Sequence, residues 1–402
     1  MTVVAGQVDH ARQRLRPANL GAIYGTVVAL GRHCSRLFAA LYGPHPGRMK
    51  GVDGLRSVFR LGAVALLTSA TPVIAQDSHS LLAPDRYEQI GDDVAAIMTA
   101  RAMSAIDRPP APLPHVHTEG TLPGQGIREA SAKARQDLQI ALDFAVAWRT
   151  SHDRRYLAQF TRYLSAWLAT YRISLNPIDE TWFDRLMLAT DLVKPDLDPA
   201  QRRAVDAFWR QMAEGYLDAM QAPRSHPHTN WQSHRVKLAT LAAYQLGDAA
   251  LIARARTAFR DQVTANIRPD GSVFDFYERD ALHYVVYDLD PLLMAAIAAQ
   301  RHGEDWYKWR SPKGSSLAGA VSWLMPYADG TLKHVEFVHS KIAFDLERAA
   351  AGQKQFAPHE WDPAGAVDTF ALAALCDPSL RLFASSLSKR TETPVQDWLR
   401  LL

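Results

Sequence analysis

Helical periodicity is the feature that most limits what this chain can fold into. From Arg128 to Tyr171, apolar and aromatic side chains recur three and four residues apart, with the turn Ser151–Asp153 between two such runs. This spacing gathers bulky side chains on one face of each helix, so it predicts an antiparallel pair with an aromatic inner face. The same spacing returns in later segments: Asp179–Val193, Asp198–Ala222, Asn230–Leu246, Ala249–Ile267, Asp280–His302, Ala366–Cys376 and Ser379–Leu401.

The patterns of other fold classes are missing from the sequence. There is no run of alternating strands, no phosphate loop and no repeat of fixed period. Only Leu332–Phe344 fits either a strand or an irregular segment. Paired antiparallel helices in this number either stack as a solenoid or close into an α/α toroid. Aromatic inner faces and polar residues at the helix ends favour an all-α toroid of helix hairpins in one domain.

Composition narrows the possible partners. The chain has 402 residues, 48% of them hydrophobic, and a net charge of +3 with basic and acidic residues interspersed. Such a chain buries a large core but has no basic stripe, so we predict no nucleic-acid partner.

Residues 49–75 have the pattern of a secretory signal peptide. Met49-Lys50 begins a basic region, Leu61–Ala70 is a short apolar run, and Val73–Ala75 supplies small residues before cleavage at Gln76. We therefore predict that residues 1–48 are an over-extended start and that residues 76–402 form the mature domain. The alternative is an amphipathic membrane anchor at Leu20–Tyr42.

An exported mature chain is periplasmic or secreted, with no membrane segment. Cys34 falls in the removed part, and Cys376 remains as the single cysteine. The sequence therefore predicts neither an intramolecular disulfide nor a thiolate metal site.

The stretch Asp270–Leu289 is unusually rich in polar and aromatic residues. A helix that starts near Asp280 places His283, Tyr284 and Tyr287 on the same side. This pattern fits either the wall of a cleft or an amphipathic helix whose tyrosines keep their hydroxyls in water.

Three motifs carry a resemblance to a known family. Asn230–Arg235, Asp270–Ser272 and Ala281–Tyr284 resemble the alginate lyase family of helical polysaccharide lyases, in a divergent form. Met325–Gly330 and His334–Phe337 also fit its broader members, so the similarity spans about residues 110–350.

The resemblance implies a fold and a reaction. The fold is an incomplete α/α toroid with a cleft for an anionic polysaccharide such as alginate (polymannuronate). The reaction is β-elimination at a uronate, which leaves a 4,5-unsaturated end and requires no metal or other cofactor. Loss of the C5 proton places negative charge beside a carboxylate, so the reaction needs donors on that carboxylate, a base at C5 and an acid at O4.

The resemblance also implies roles for particular residues. Asn230 matches the asparagine that faces the substrate carboxylate, and Tyr284 matches the catalytic tyrosine. His234 is expected as base or carboxylate partner, with His228 as second choice. Tyr277 stands where the family has an arginine, so Arg279 is the expected catalytic cation, and Arg235 is the alternative. The predicted substrate-binding residues are His228, Arg235, Tyr277, Tyr287 and His117.

Each of these assignments has a structural alternative. Asn230 also fits a helix N-cap, His234 a core histidine, and Arg279 a surface ion pair with Asp275 or Asp280. His283 is expected to point away from Tyr284. We predict no metal site and a monomer.

Two other functions stay open at this point. An inverting glycoside hydrolase on the same toroid would use two carboxylates across the cleft, drawn from Asp275, Glu278 and Asp280. A non-catalytic protein for polysaccharide export would bind the polymer without cleaving it.

Overall fold

The structure is a computed structural model that describes Leu81, residues 90–223 and residues 225–402. The predicted extended start, signal peptide and alternative anchor lie outside these residues and stay predictions. The α-helices are α1 Asp92–Ser104, α2 Ile127–Ser151, α3 Arg154–Thr170, α4 Pro177–Glu180, α5 Phe183–Val193, α6 Pro199–Ala219, α7 Asn230–Leu246, α8 Ala249–Asn266, α9 Phe274–Arg279, α10 Leu282–Arg301, α11 Leu317–Ala328, α12 Ala343–Ala350, α13 Val367–Cys376 and α14 Arg381–Arg390.

Short elements connect the later helices. Two-residue strands β1 (Val335–Glu336) and β2 (His359–Glu360) pair antiparallel. Single turns of 3₁₀ helix occur at Lys194–Asp196, Lys354–Phe356, Pro363–Ala366, Pro378–Leu380 and Asp397–Leu401.

The predicted hairpin of α2 and α3 is confirmed. His152 ends α2 in the left-handed conformation, and the Asp153 carboxylate then caps α3 by accepting a hydrogen bond from the Arg155 backbone N–H. Phe144, Tyr163 and Trp167 are fully buried between the helices and their neighbours. Local capping and an aromatic face are therefore enough to specify this pair.

Helix α7 lies at the centre of the fold. It packs against α6, α8 and α10, and nearly all of its residues are buried, including the polar residues His234, Arg235 and Lys237. Gly247 ends it in the left-handed conformation, which glycine adopts without strain. Buried polar side chains require partners, so α7 concentrates hydrogen-bonded networks in the interior.

The helix predicted to start near Asp280 is present, but it begins two residues later and Asp280 lies outside it. Helix α9 ends at Arg279, Asp280 adopts a left-handed conformation with φ of 51°, and α10 begins at Leu282. The Asp280 carboxylate accepts a hydrogen bond from the backbone N–H of His339, and its carbonyl accepts one from Phe337. Asp280 therefore joins two helices and anchors the segment that contains β1, rather than lining a helix face.

The chain turns at Asp270-Gly271, before α9. Gly271 has φ of +94° and donates its backbone N–H to the carbonyl of Arg268. A Cβ at this position would collide with the backbone carbonyl of Gly319 and approach Trp323. Only glycine allows α11 to pass this close to the turn before α9.

Among the described residues, the helix Leu282–Arg301 is long and apolar enough to cross a membrane, and most of it is buried inside the fold.

Candidate active site

The hydroxyl of Tyr284 is held by two arginines from different elements. Arg279 at the end of α9 and Arg348 on α12 each donate from Nη1 to the tyrosine oxygen, at 3.0 Å and 2.9 Å. The Arg279 guanidinium also lies 4.1 Å from the centre of the Tyr284 ring. The buried Asp345 accepts from Arg279 and lies 4.0 Å from Arg348, so it fixes both cations around the hydroxyl.

This arrangement keeps the hydroxyl of Tyr284 protonated at neutral pH. Burial raises the pKa of Tyr284 above its usual value, while the nearby Arg279 and Arg348 act in the opposite direction. The oxygen accepts two hydrogen bonds, so its own hydrogen is left for a third partner. Two guanidinium groups beside this oxygen would stabilise a tyrosinate.

His283 lies beside Tyr284, contrary to the expectation that it would point away. The two rings meet edge to face with 5.2 Å between centroids, and the His283 ring is parallel to that of Tyr287 at 6.4 Å. Partial burial of the ring, followed by the charges of Arg348 and Arg279, lowers the pKa of His283 below its usual value. The side chain still reaches solvent, and it is an unprotonated imidazole at neutral pH.

Buried hydrogen bonds that run from Lys237 through Thr181 determine which ring nitrogen of His234 carries its hydrogen. The Lys237 ammonium donates to Asp184 at 2.6 Å and to the Thr181 hydroxyl at 2.7 Å, and that hydroxyl lies 2.7 Å from Nδ1 of His234. An ammonium can only donate, so the hydroxyl hydrogen is free to reach Nδ1, and His234 carries its own hydrogen on Nε2.

His234 is therefore a neutral donor rather than a free base. Burial, and then the charge of Lys237, lowers the pKa of His234 well below its usual value. Its Nε2 is buried with no hydrogen-bond partner among the described residues, and its ring lies 4.4 Å from that of Tyr287. The ring of Tyr287 therefore lies between His234 on one side and His283 and Tyr284 on the other.

Asn230 is bound to a carboxylate of the protein itself. Its side-chain Nδ2 donates to Asp275 at 2.6 Å, and its backbone N–H donates to the same carboxylate at 2.9 Å. The N-cap of α7 is Thr229, so Asn230 is the first helical residue instead. Burial raises the pKa of Asp275 to about 6 and that of neighbouring Asp288 well above its usual value. One amide hydrogen of Asn230 is committed to this internal network.

Arg279 does not form the surface pair offered as its alternative, because its partner is the buried Asp345. Arg235 is held by the backbone carbonyls of Ser225 and His226. His228 is exposed in the loop before α7.

Tyr277 and His117, the remaining predicted substrate-binding residues, contact groups other than Tyr284. Tyr277 is 37% exposed and lies under the guanidinium of Arg268, with its hydroxyl bonded to Ser272. His117 contacts Asp179 at 2.9 Å, and the same carboxylate accepts the backbone N–H groups of Thr118 and Glu119.

Two cavities share a wall formed by Thr181, Trp182 and Tyr287. The first, which we call the arginine cavity, has a volume of about 270 Å³. Its other lining residues are Thr118, Glu119, Arg128, Ala132, Arg135, Ile178 and Arg348. The second, which we call the mixed-charge cavity, has a volume of about 210 Å³. Its charged lining residues are Asp184, Arg185, Lys237, Asp290 and Asp368, and His234 also lines it. Arg348 connects the Tyr284 hydroxyl to the arginine cavity, because it lines the cavity and donates a hydrogen bond to that hydroxyl.

Sequence reasoning missed Arg348, Asp345 and Arg135. Arg348 and Asp345 lie on α12, which carries none of the motifs that pointed to the site. Arg135 lies in the N-terminal half of α2, and its guanidinium is 5.1 Å from the centre of the Trp182 ring. In the described part of the chain, no three His, Cys, Asp or Glu residues are grouped to hold a metal ion.

Comparison with known proteins agrees with this architecture. Residues 68–334 match the family model described as alginate lyase. A polysaccharide lyase of Stenotrophomonas maltophilia (strain K279a) is 32% identical over 142 residues, which are 34% of this chain. The match spans 42% of that relative's length.

Two solved structures share the fold. An alginate lyase from Bacteroides ovatus superposes with a TM-score of 0.60 at 15% identity, over 80% of this chain and 98% of that one. The apo form of a variant of alginate lyase A1-III, an enzyme of Sphingomonas species A1, gives 0.51 at 18% identity, over 65% and 80%. The predicted all-α, incomplete α/α toroid is confirmed, and the chain belongs to the alginate lyase family.

Proposed function

We propose that this chain is a polysaccharide lyase that cleaves a uronate polymer such as alginate by β-elimination. The observation that carries the proposal is the Tyr284 hydroxyl, which accepts hydrogen bonds from Arg279 and Arg348. Arg348 also lines a cavity with three arginines. A carboxylated sugar fits a cavity with three arginines and one glutamate, because the surplus positive charge binds its carboxylate.

The reaction breaks two bonds and forms one double bond. A base removes the C5 proton, the C4–O4 bond breaks with its electron pair on O4, and a double bond forms between C4 and C5. Tyr284 donates its proton to O4, and the resulting tyrosinate is stabilised by Arg279 and Arg348. Arg135 and Arg128 bind the uronate carboxylate, and His234 and Asn230 stay predicted donors to it.

His283 is the base in this proposal. Its imidazole is exposed and lies 5.2 Å from the Tyr284 ring, whereas the hydrogen of His234 is on the nitrogen that lacks a partner. A base and an acid on neighbouring residues of α10 would act on the same face of the bound sugar.

The carboxylates suggested for a hydrolase have other partners. Asp275 is buried against Asn230, Glu278 pairs with Lys341 at 3.1 Å, and Asp280 contacts His334 and His339. This favours elimination over hydrolysis.

The decisive assay incubates the mature protein with polymannuronate, polyguluronate, glucuronan and hyaluronan. We expect ultraviolet absorbance of the unsaturated uronate to rise in step with new reducing ends on at least one polymer. Reducing ends without that absorbance would instead establish a hydrolase. Binding with neither signal would establish an export protein. Export, predicted from residues 49–75, is part of the proposal, and N-terminal sequencing of the secreted chain should begin at Gln76.

Replacing His283 by asparagine should lower kcat about a hundredfold, because the base at C5 is lost. His152→Asn is the matched control, since asparagine tolerates the left-handed conformation found there. It should leave kcat unchanged. Steady-state rates on the preferred polymer provide the measurement, and a His283→Asn enzyme with normal kcat would remove His283 from this role.

A further inference from the structure

A third cavity meets the two described above at Trp182, which lines all three. Its lining includes Ser104 on α1, Arg108 in the segment that follows and Gln136 on α2, so we call it the α1–α2 cavity. Its volume of about 470 Å³ exceeds that of the arginine cavity, about 270 Å³, and that of the mixed-charge cavity, about 210 Å³. This volume is typical of sites for small organic ligands, and the reaction proposed above uses no residue of the lining.

One side of helix α2 connects the arginine cavity to the α1–α2 cavity. Seven residues of α2 line the two cavities in turn: Arg128, Ala132 and Arg135 in the arginine cavity, then Gln136, Gln139, Ile140 and Asp143 in the α1–α2 cavity. Their spacing is that of a single helical face. At a rise of 1.5 Å per residue, this face is about 22 Å long. It is therefore several sugar rings in length and fits a polymer that continues past the reacting unit.

Two arginines are the charged groups that a ligand meets in the α1–α2 cavity. Arg101 and Arg108 keep 40% and 30% of their side chains exposed, whereas their partners Asp143 and Asp137 are exposed by only 2% and 0%. Asp397 also pairs with Arg101, at 2.7 Å. Arg108 donates from Nη2 to Asp137 at 3.0 Å, and a guanidinium carries further N–H groups on Nε and Nη1. Such groups bind the carboxylate of a uronate.

We infer that the α1–α2 cavity is a distal binding site for the uronate polymer, which runs along α2 from the reacting unit in the arginine cavity. This inference rests on the proposed function and adds to it. Binding energy gained away from the scissile bond raises kcat/KM for chains that reach the distal site, and it is lost for chains too short to reach it. The enzyme should therefore prefer long substrates.

The first test measures kcat/KM on uronate oligomers of increasing length, prepared from the polymer that the enzyme cleaves best. We expect kcat/KM to rise by about tenfold or more between the shortest oligomer cleaved and oligomers long enough to reach the α1–α2 cavity, and then to level off. The same kcat/KM at every length would overturn the inference and leave the lyase activity intact. No unsaturated product from any polymer would overturn the proposed function and this inference with it.

The second test places a negative charge in the α1–α2 cavity. Ser104 is exposed at the end of α1, and its hydroxyl donates to the backbone carbonyl of Arg101 at 2.8 Å. In Ser104→Glu the new carboxylate repels a uronate bound in the cavity. The ratio of kcat/KM on the longest oligomer to that on the shortest should therefore fall by about tenfold, and less at high ionic strength, where the repulsion is screened.

Ser322→Glu is the matched control. Ser322 is also exposed on a helix, and its hydroxyl donates to the backbone carbonyl of Ala318 at 2.9 Å. The substitution adds the same charge on α11 and should keep the ratio within about twofold of that of the unchanged protein. An unchanged ratio in Ser104→Glu, or an equal fall in both variants, would overturn the inference.

Discussion

Replacing Tyr284 by phenylalanine should lower kcat by about a thousandfold or more while the protein still binds its polymer. The change removes only the hydroxyl, so the proton for O4 is lost together with the oxygen that receives hydrogen bonds from Arg279 and Arg348. The cavity keeps its arginines, and binding of the uronate carboxylate survives. Steady-state kinetics gives kcat, and calorimetry on the inactive variant gives the dissociation constant.

Tyr156→Phe is the matched control for this variant. Tyr156 is buried against Phe144 between α2 and α3, where its ring packs within the aromatic face. Loss of its hydroxyl should leave both kcat and binding unchanged. A Tyr284→Phe enzyme with activity near that of the unchanged protein would exclude Tyr284 as the acid.

Replacing Arg348 by methionine should lower kcat/KM by about a hundredfold and move the alkaline limb of the pH profile upward. The guanidinium donates to the Tyr284 oxygen at 2.9 Å and stabilises the tyrosinate formed when the proton leaves. It also opposes the effect of burial on the pKa of Tyr284, so its removal raises that pKa further. A proton donor is active only below its pKa, and activity should persist to higher pH although it is weaker throughout.

The direction of the shift identifies the role of Tyr284. If Tyr284 acted as the base, activity would require tyrosinate, and the acidic limb would be the one to move upward in Arg348→Met. The profile of kcat/KM against pH, measured on one polymer at constant ionic strength, separates these cases. Arg254→Met, which removes an exposed cation paired with Asp218, should leave the profile unchanged.

The fold was predictable because its determinants are local. Apolar spacing in α2 and α3, the Asp153 cap and the Gly247 stop each act within a few residues, and all appear in the structure. The error at Asp280 has a long-range cause. Its left-handed conformation accompanies hydrogen bonds from Phe337 and His339, which no local pattern around Asp280 indicates.

The sequence by itself determined the helix hairpins, the family motifs and Tyr284 as the candidate at the site. Only the tertiary structure decided what surrounds that tyrosine, because Arg348 and Asp345 reach it from more than sixty residues along the chain. The state of His234 likewise depends on Thr181 and Lys237, which belong to different parts of the fold. Helical periodicity reports which face of a helix is buried, whereas hydrogen bonds between distant helices set protonation and charge at a site. Those bonds exist only after the helices have packed.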